Sequence, residues 1–315
     1  MCDGNRNLHQ VKILNFGSCN VDYVYSLDHI VKAGETESTY RLNTYPGGKG
    51  LNQSIAIKRA GSCVYHAGCI GEGGAFLLDI LKRDGVDVSF LESVDEKNGH
   101  AIIQVCPSGE NSIFLYPGSN HMISSRQIDH VLEAFSENDI LVLQNEINAP
   151  EEIVEKAYRK GMRIVLNPSP YNEKIQGIDF AMLSYLILNE PEIKQISACE
   201  TVSDALLYFQ KAFPRLRVML TLGGRGCIYQ SEGKQIFCPS FRVNAVDTTG
   251  AGDTFTGYFV SGIANAQSTE QILRTASCAA ALSVTKEGAA TSIPYIAEVV
   301  AQIDSLEAST ENAEK

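Results

Sequence analysis

The sequence predicts an α/β protein: a three-layer α/β/α sandwich with a mainly parallel sheet and a small β-sheet lid. Three observations predict it. Short apolar runs alternate with helical segments from residue 62 to residue 284, the rhythm by which a chain lays down parallel strands covered by helices on both faces. Segments 20–45 and 98–117 break that rhythm: each is rich in β-formers and carries no helical pattern, so both are expected to leave the main sheet and pair as the lid. The chain has 315 residues, 44% hydrophobic and 20% charged, which suits an ordinary globular core with one excursion. The expected division is a large domain of residues 1–19, 46–97 and 118–306, a lid of 20–45 and 98–117, and a frayed tail at 307–315.

Val11 to Phe16 reads as the first strand, closed by the turn cluster Gly17-Ser18-Cys19-Asn20. Two strands follow between Val21 and Tyr45, broken at Ala33-Gly34-Glu35. Gly47-Gly48-Lys49-Gly50 opens a helix to about Ala60, with Leu51, Ile55 and Ile57 apolar and Gly61 as its stop. Cys63 to Ile70 is a strand and Ala75 to Arg83 a helix. His100 to Cys106 and Ser112 to Tyr116 form a hairpin across Pro107-Ser108-Gly109-Glu110. Strands are expected at Ile140–Leu143, Met162–Leu166, Leu183–Leu188 and Val218–Leu222, with helices at 149–160 and 201–212. A hairpin at 226–238, a short strand Phe241–Val246, and helices at 250–264 and 268–284 complete the core.

A formal net charge of −11 with no dense Lys/Arg block argues against nucleic acid, whose phosphates require clustered cations. An acidic protein still holds a nucleotide if backbone N–H groups, helix N-termini and Mg²⁺ meet the phosphates. Nine cysteines are scattered without a Cys-x-x-Cys pair, as expected of reduced thiols in a cytoplasmic protein. No apolar run reaches ~20 residues, so no membrane span is expected, and the polar start Met1 to Gln10 lacks a signal-peptide core.

The strongest chemical signal is Asp247-Thr248-Thr249-Gly250-Ala251-Gly252-Asp253, directly before an apolar helix. Small residues let the backbone turn tightly and present consecutive N–H groups, which with the helix dipole make an anion site. A phosphoryl group in transfer spreads charge over its oxygens, and fixed donors stabilise it. Asp253, in the first helical turn, is placed to accept a hydroxyl proton. Two other readings stay open for the run alone: an acidic helix cap, and a dinucleotide fingerprint, which Phe255 at the third glycine position disfavours.

Gly47-Gly48-Lys49-Gly50-Leu51-Asn52-Gln53 lacks P-loop spacing, but its glycines admit a ligand to the backbone, and Lys49 and Asn52 suit sugar hydroxyls; a Gly-rich turn with a solvated lysine is the plain alternative. Asn20 and Asp22 follow the first strand, where α/β folds place ligands, or they make an Asx turn. Asn189-Glu190-Pro191-Glu192 follows an apolar strand; Asn189 and Glu192 either hold Mg²⁺ through water or cap a helix. Thr221-Leu222-Gly223-Gly224-Arg225-Gly226 joins two strands and could cradle nucleotide phosphates or ribose.

In chain order these motifs resemble those of the ribokinase, or phosphofructokinase-B-type, family of carbohydrate kinases, over about residues 11 to 300. Gly47-Gly-Lys-Gly-Leu-Asn52, with Gly61 ending its helix, is similar to the family's first signature, and Asp247-Thr-Thr-Gly-Ala-Gly-Asp253 to the second. Gly17-Ser-Cys-Asn20-Val-Asp22, Gly34-Glu35-Thr36 and Asn52-Gln53 add to the likeness. The resemblance implies a ribokinase-like fold and ATP-dependent transfer to a sugar primary hydroxyl, in first place D-ribose giving D-ribose 5-phosphate. The alternatives are a nucleoside, a ketohexose or another pentose as acceptor, and, in a different class, a non-catalytic sugar- or nucleotide-binding module. It implies Asp253 as base, with Gly250, Ala251 and Gly252 as anion hole. Asn20, Asp22, Gly48, Lys49, Asn52 and Glu146 would bind the sugar. Asn189, Thr221, Gly223, Gly226, Gly252 and Ser277 would lie at the nucleotide, and Glu192 would hold Mg²⁺ through water. A monovalent cation, K⁺, would sit at Asp247, Thr249, Ser283, Lys286, Gly288 and Ser292. The lid would cover the sugar and clasp a second copy as a homodimer. The chain departs from the family at Leu51, Asn145 and Tyr258, and at His100, Phe114 and Tyr116 in the lid strands; these residues are expected to reshape the sugar pocket.

Overall fold

The computed structural model describes residues 11–312. The chain opens with β1 (Ile13–Phe16), β2 (Asn20–Ser26), β3 (Arg41–Gly47), α1 (Lys49–Arg59), β4 (Val64–Glu72), α2 (Ala75–Arg83) and β5 (Asp87–Lys97). It continues through β6 (His100–Val105), β7 (Asn111–Tyr116), α3 (Ser125–Glu133), β8 (Ile140–Gln144), α4 (Pro150–Arg159), β9 (Arg163–Asn167) and β10 (Tyr185–Asn189). It closes with α5 (Glu190–Ser197), α6 (Val202–Ala212), β11 (Arg217–Thr221), β12 (Cys227–Ser231), β13 (Lys234–Cys238), α7 (Ala251–Ala264), α8 (Thr269–Ser283) and α9 (Ile296–Asn312).

The main sheet has nine strands in the order β13-β12-β11-β10-β9-β8-β1-β4-β5. From β5 across to β11 all pairs are parallel, and β12 and β13 add an antiparallel hairpin at the edge. Side chains alternate between two cores, as the period of a strand requires. Ile13, Val142, Val165, Ile187 and Met219 pack under α1, α7 and α8, whereas Leu14, Leu141, Leu143, Leu186 and Leu220 pack under α4, α5 and α6. The chain starts at β1, builds outward to β5, and returns to build from β8 in the other direction. The crevice between the carboxyl ends of β1 and β8 is therefore the topological switch point, where open α/β sheets bind ligands.

The two segments that broke the βα rhythm form the separate four-stranded sheet β3-β2-β6-β7. Three elements were not legible in the sequence. β5 is an edge strand, half exposed and studded with acids, so it carries no apolar run. α3 is capped by the Ser124 hydroxyl, which accepts from the Gln127 N–H, and buries Ile128, Val131 and Leu132. α9 occupies Ile296–Asn312, so helix replaces the expected frayed tail as far as Asn312. The expected strand Phe241–Val246 is instead an irregular connection. It alternates but joins neither sheet; its Val246 N–H and the following Asp247 N–H instead donate to the Val284 carbonyl, at 2.7 and 3.2 Å. No helix among the described residues is long and apolar enough to cross a membrane.

Candidate active site

The glycines of the first motif set how closely α1 meets β1. A Cβ on Gly50 would lie 2.3 Å from the Ser18 nitrogen, and Gly48, at φ 92°, has the Asn20 nitrogen 2.8 Å from where its Cβ would be. Only glycine permits this approach. It lets the Leu51 N–H donate to the Ser18 carbonyl at 2.9 Å, which fixes the first turn of α1 at the switch point. Glu146, two residues past β8, closes the corner by accepting from the Ser18 hydroxyl and from the Lys49 N–H, the latter at 2.9 Å.

The second motif starts α7. Gly250 caps it in the left-handed region at φ 75°, and α7 packs on α1 so closely that a Cβ on Gly257 would lie 2.3 Å from that of Ala56. This contact brings together side chains that are 201 and 200 residues apart: Asn52 Nδ2 donates to Asp253 Oδ2, and Gln53 Nε2 to Asp253 Oδ1, both at 2.9 Å. The Asp253 carboxylate, nearly buried, is thus held by two neutral amides at a helix N-terminus. Asn52 Oδ1, beside it, is a buried acceptor with no partner. An orphan acceptor of this kind costs free energy until a donor arrives, and a sugar hydroxyl is such a donor.

Charge converges here. The Lys49 ammonium is held above its ordinary range by Asp253 first, against burial, and then by Glu146, Glu192 and Asp22. Burial pushes Glu146 up, and its hydrogen bonds and Lys49 oppose that. Asp22 is raised to about 7, by burial first and then by Glu146 and Asp253. Asn20 is fixed by a residue not picked out in the sequence: Asn120 Nδ2 donates to Asn20 Oδ1 at 2.7 Å, while Asn120 Oδ1 accepts from the Cys19 N–H.

A cleft of about 250 Å³ opens in front of Asp253. Of the predicted residues, Lys49, Asn189, Glu192, Thr221, Gly250, Gly252 and Asp253 line it. Asn167, Ser169, Thr248 and Thr256 line it too and were not foreseen; Asn167 ends an apolar strand, a signal that could have found it. Asn189 and Glu192 do form a capping box, each side chain bonded to the other's N–H, and Glu192 also accepts from the Ser169 hydroxyl. Gly223 and Gly226 make the tight β11–β12 turn, and a Cβ on Gly226 would lie 2.1 Å from the Cys238 carbonyl. Ser277 is buried on α8 with its hydroxyl 3.7 and 3.8 Å from the sulfurs of Cys227 and Cys238, outside the cleft lining.

The loop before α7 is tied to the loop after α8. Asp247 Oδ1 accepts from the Thr249 N–H and hydroxyl, and Oδ2 from the Gly288 N–H at 2.9 Å. Burial acts to raise Asp247, but these bonds outweigh it and hold the carboxyl below its usual range. Ser283 and Ser292 donate to the Ala280 and Ala289 carbonyls, leaving their oxygens as acceptors, and Lys286 pairs outward with Glu298.

The departures from the family pattern fall elsewhere than expected. Leu51 and Tyr258 are core residues, and Asn145 Nδ2 donates to the Pro170 carbonyl. In the lid, paired residues share a face: Asp22 pairs with Ala101 and Ala101 with Leu115, whereas His100 pairs with Val21 and Tyr116, and Phe114 with Ile102. His100, Phe114 and Tyr116 therefore lie on the face opposite Asp22, so they do not crowd its side of the lid.

Residues 10–296 match the model of the pfkB family carbohydrate kinases. The ribokinase of Bacillus subtilis (strain 168) is 37% identical over 291 residues, covering 90% of this chain and 96% of the relative. The structure of ribokinase from Thermotoga maritima superposes with a TM-score of 0.84 at 33% identity, covering 94% of this chain and all of that one. The structure of Arabidopsis thaliana ribokinase complexed with ribose and ATP superposes with a TM-score of 0.81 at 27% identity, covering 94% of this chain and 99% of that one.

Proposed function

The chain belongs to the pfkB family of carbohydrate kinases, and from that membership we propose that it transfers the γ-phosphoryl group of ATP to the primary hydroxyl of D-ribose, giving D-ribose 5-phosphate and ADP. The observation that carries the reading is the Asp253 carboxylate, fixed by Asn52 and Gln53 at the N-terminus of α7 and facing a cleft that also holds Lys49 and Glu192. Relatives named ribokinase across nearly the whole chain, one of them solved with ribose and ATP, support ribose as the acceptor.

In this reading the sugar lies between the lid and α1. Asn20, Asp22, Gly48, Lys49, Asn52 and Glu146 surround it, and the orphan Asn52 Oδ1 accepts one of its hydroxyl protons. Asp253 takes the proton of the attacking hydroxyl, the new P–O bond forms in line, and the bond to the β-phosphate oxygen breaks to release ADP. Gly250, Ala251 and Gly252 offer N–H groups to the transferring oxygens, at the positive end of α7. Asn189, Thr221, Gly223 and Gly226 face the nucleotide, with Ser277 behind them. Glu192 fits Mg²⁺ held through its water shell, since both its oxygens already accept hydrogen bonds. The ion neutralises phosphate charge when bound. Carbonyl and hydroxyl oxygens around Asp247, Thr249, Ser283, Lys286, Gly288 and Ser292 suit a weakly hydrated K⁺ that stiffens the anion loop. Cys19, Cys63, Cys69, Cys106, Cys199 and Cys227 are free thiols, which supports the cytoplasm as the compartment.

The test is an ADP-release assay over ribose, other pentoses, ketohexoses and nucleosides. Ribose is expected to rank first, and a far better substrate elsewhere in the panel refutes the acceptor. Asp253→Asn is expected to lower kcat by about 10²- to 10⁴-fold while calorimetric ATP binding persists; near-normal turnover would remove Asp253 as the base. Chelation of Mg²⁺ is expected to stop turnover, and equal rates in Na⁺, K⁺ and Cs⁺ would dismiss the K⁺ site.

A further inference from the structure

Behind Asp253, four buried side-chain amides from four elements form one chain: Asn15 on β1, Gln144 on β8, Gln53 on α1 and Asn167 on β9. Side-chain amides carry a donor end and an acceptor end, and buried ones must match donor to acceptor. The polarity of this chain is set at both ends by backbone carbonyls, which only accept. Asn15 Nδ2 donates to the Gly50 carbonyl at 2.7 Å, so Asn15 Oδ1 faces Gln144 and accepts from its Nε2 at 2.9 Å. Gln144 Nε2 also donates to Gln53 Oε1 at 2.7 Å, so both donors of Gln144 are used within the chain while its Oε1 is left without a partner. Asn167 Nδ2 donates to the Ile187 carbonyl at 2.9 Å, which turns Asn167 Oδ1 toward Gln53 Nε2 at 3.2 Å. Gln53 is left one orientation: oxygen toward Gln144, NH₂ toward Asn167 and Asp253.

We infer that Gln53 is a positioning residue for the transfer, and that the amide chain from the Gly50 and Ile187 carbonyls locks its NH₂ onto Asp253 Oδ1. Asn52 fixes the other oxygen, so the carboxylate is held at two points and cannot swing about its side-chain torsion. An N–H pair aimed at a carboxylate keeps it an acceptor in the geometry an attacking hydroxyl requires, and a misplacement of about 1 Å costs on the order of 10²-fold in rate. Gln53 touches no substrate in this arrangement; it acts through Asp253. The inference rests on the kinase reading above.

Two variants of nearly the same volume separate polarity from shape. Gln53→Met keeps the packing and removes the hydrogen bonds. Gln53→Glu keeps the outline but faces Asp253 with an acceptor. The measurement is kcat and KM for ribose and ATP, at a temperature where circular dichroism finds each variant folded. The expected result is a fall in kcat of about 10- to 100-fold for Gln53→Met, a larger fall for Gln53→Glu, and both KM values within about threefold of wild type. Wild-type kcat in folded Gln53→Met overturns the inference, as does a loss confined to KM. If Gln53→Glu does not fold, Gln53→Met alone decides. A wild-type protein that phosphorylates no acceptor overturns the kinase reading and this inference together; an active wild type with unchanged Gln53→Met overturns this inference alone.

Discussion

Asp22 shows how a residue proposed to bind the sugar strains the fold that holds it. Its carboxyl is raised to about 7, because burial and then the charges of Glu146 and Asp253 outweigh Lys49. Between the unfolded value of 3.8 and about 7 the folded protein therefore binds a proton that the unfolded chain has lost, so stability falls as pH rises through that window and the loss is complete above it. The full effect is on the order of 4 kcal/mol. Asp22→Asn mimics the protonated acid. Its gain in denaturation free energy over wild type is expected to grow from pH 5 to pH 7 and then level, while ribose affinity drops; a gain independent of pH would show that another effect dominates. The sequence marked Asp22 and Asn20 by their place after the first strand, but it held no sign of Asn120, 100 residues from Asn20, whose amide orients it. Polar residues that meet only after folding have no periodicity to betray them.

At the scale of elements, the site is the contact between α1 and α7, and their glycines serve different ends. A Cβ on Gly257 would meet Ala56 Cβ at 2.3 Å and the Ile57 nitrogen at 2.8 Å, so Gly257→Ala must push the helices apart. It is expected to cost about 1–3 kcal/mol in chemical denaturation and to slow turnover by loosening the Asn52 and Gln53 bonds to Asp253. Nothing lies within 4 Å of where a Cβ on Gly252 would be. Gly252→Ala is therefore expected to leave stability within about 0.5 kcal/mol of wild type, yet to lower kcat/KM for ATP by about tenfold or more because the methyl would enter the proposed anion site. Unchanged kinetics in Gly252→Ala would mean the phosphates bind elsewhere. Both motifs, and the helices they open, were legible because tight turns demand small residues locally. β5 and α3 were not: one is a charged edge, and the other's apolar face shows only against the sheet.

Across the whole molecule, the lid leaves apolar surface uncovered. On its edge strand β7, Ile113, Phe114, Leu115 and Tyr116 are 54%, 55%, 46% and 43% exposed, and Tyr40 and Leu42 at the other edge are similarly open. Phe114 and Tyr116 lie on one face of the lid and Ile113 and Leu115 on the other; exposed apolar side chains grouped on one edge strand fit a partner, and we propose a second copy, lid to lid. Light scattering is expected to give a dimer for wild type and a monomer for the pair Ile113→Glu, Phe114→Glu; a monomeric wild type at micromolar concentration would reject the clasp. By itself the sequence determined the α/β architecture, the excursion of the lid, and the small-residue loop with Asp253 at its end, because strand and helix periods and turn chemistry are written in neighbouring residues. Only the tertiary structure decided which side chains hold Asp253 and which face of the lid His100, Phe114 and Tyr116 occupy. Those depend on helix packing and strand register between segments up to 201 residues apart, and a shift of one residue in register turns every side chain of a strand to its other face.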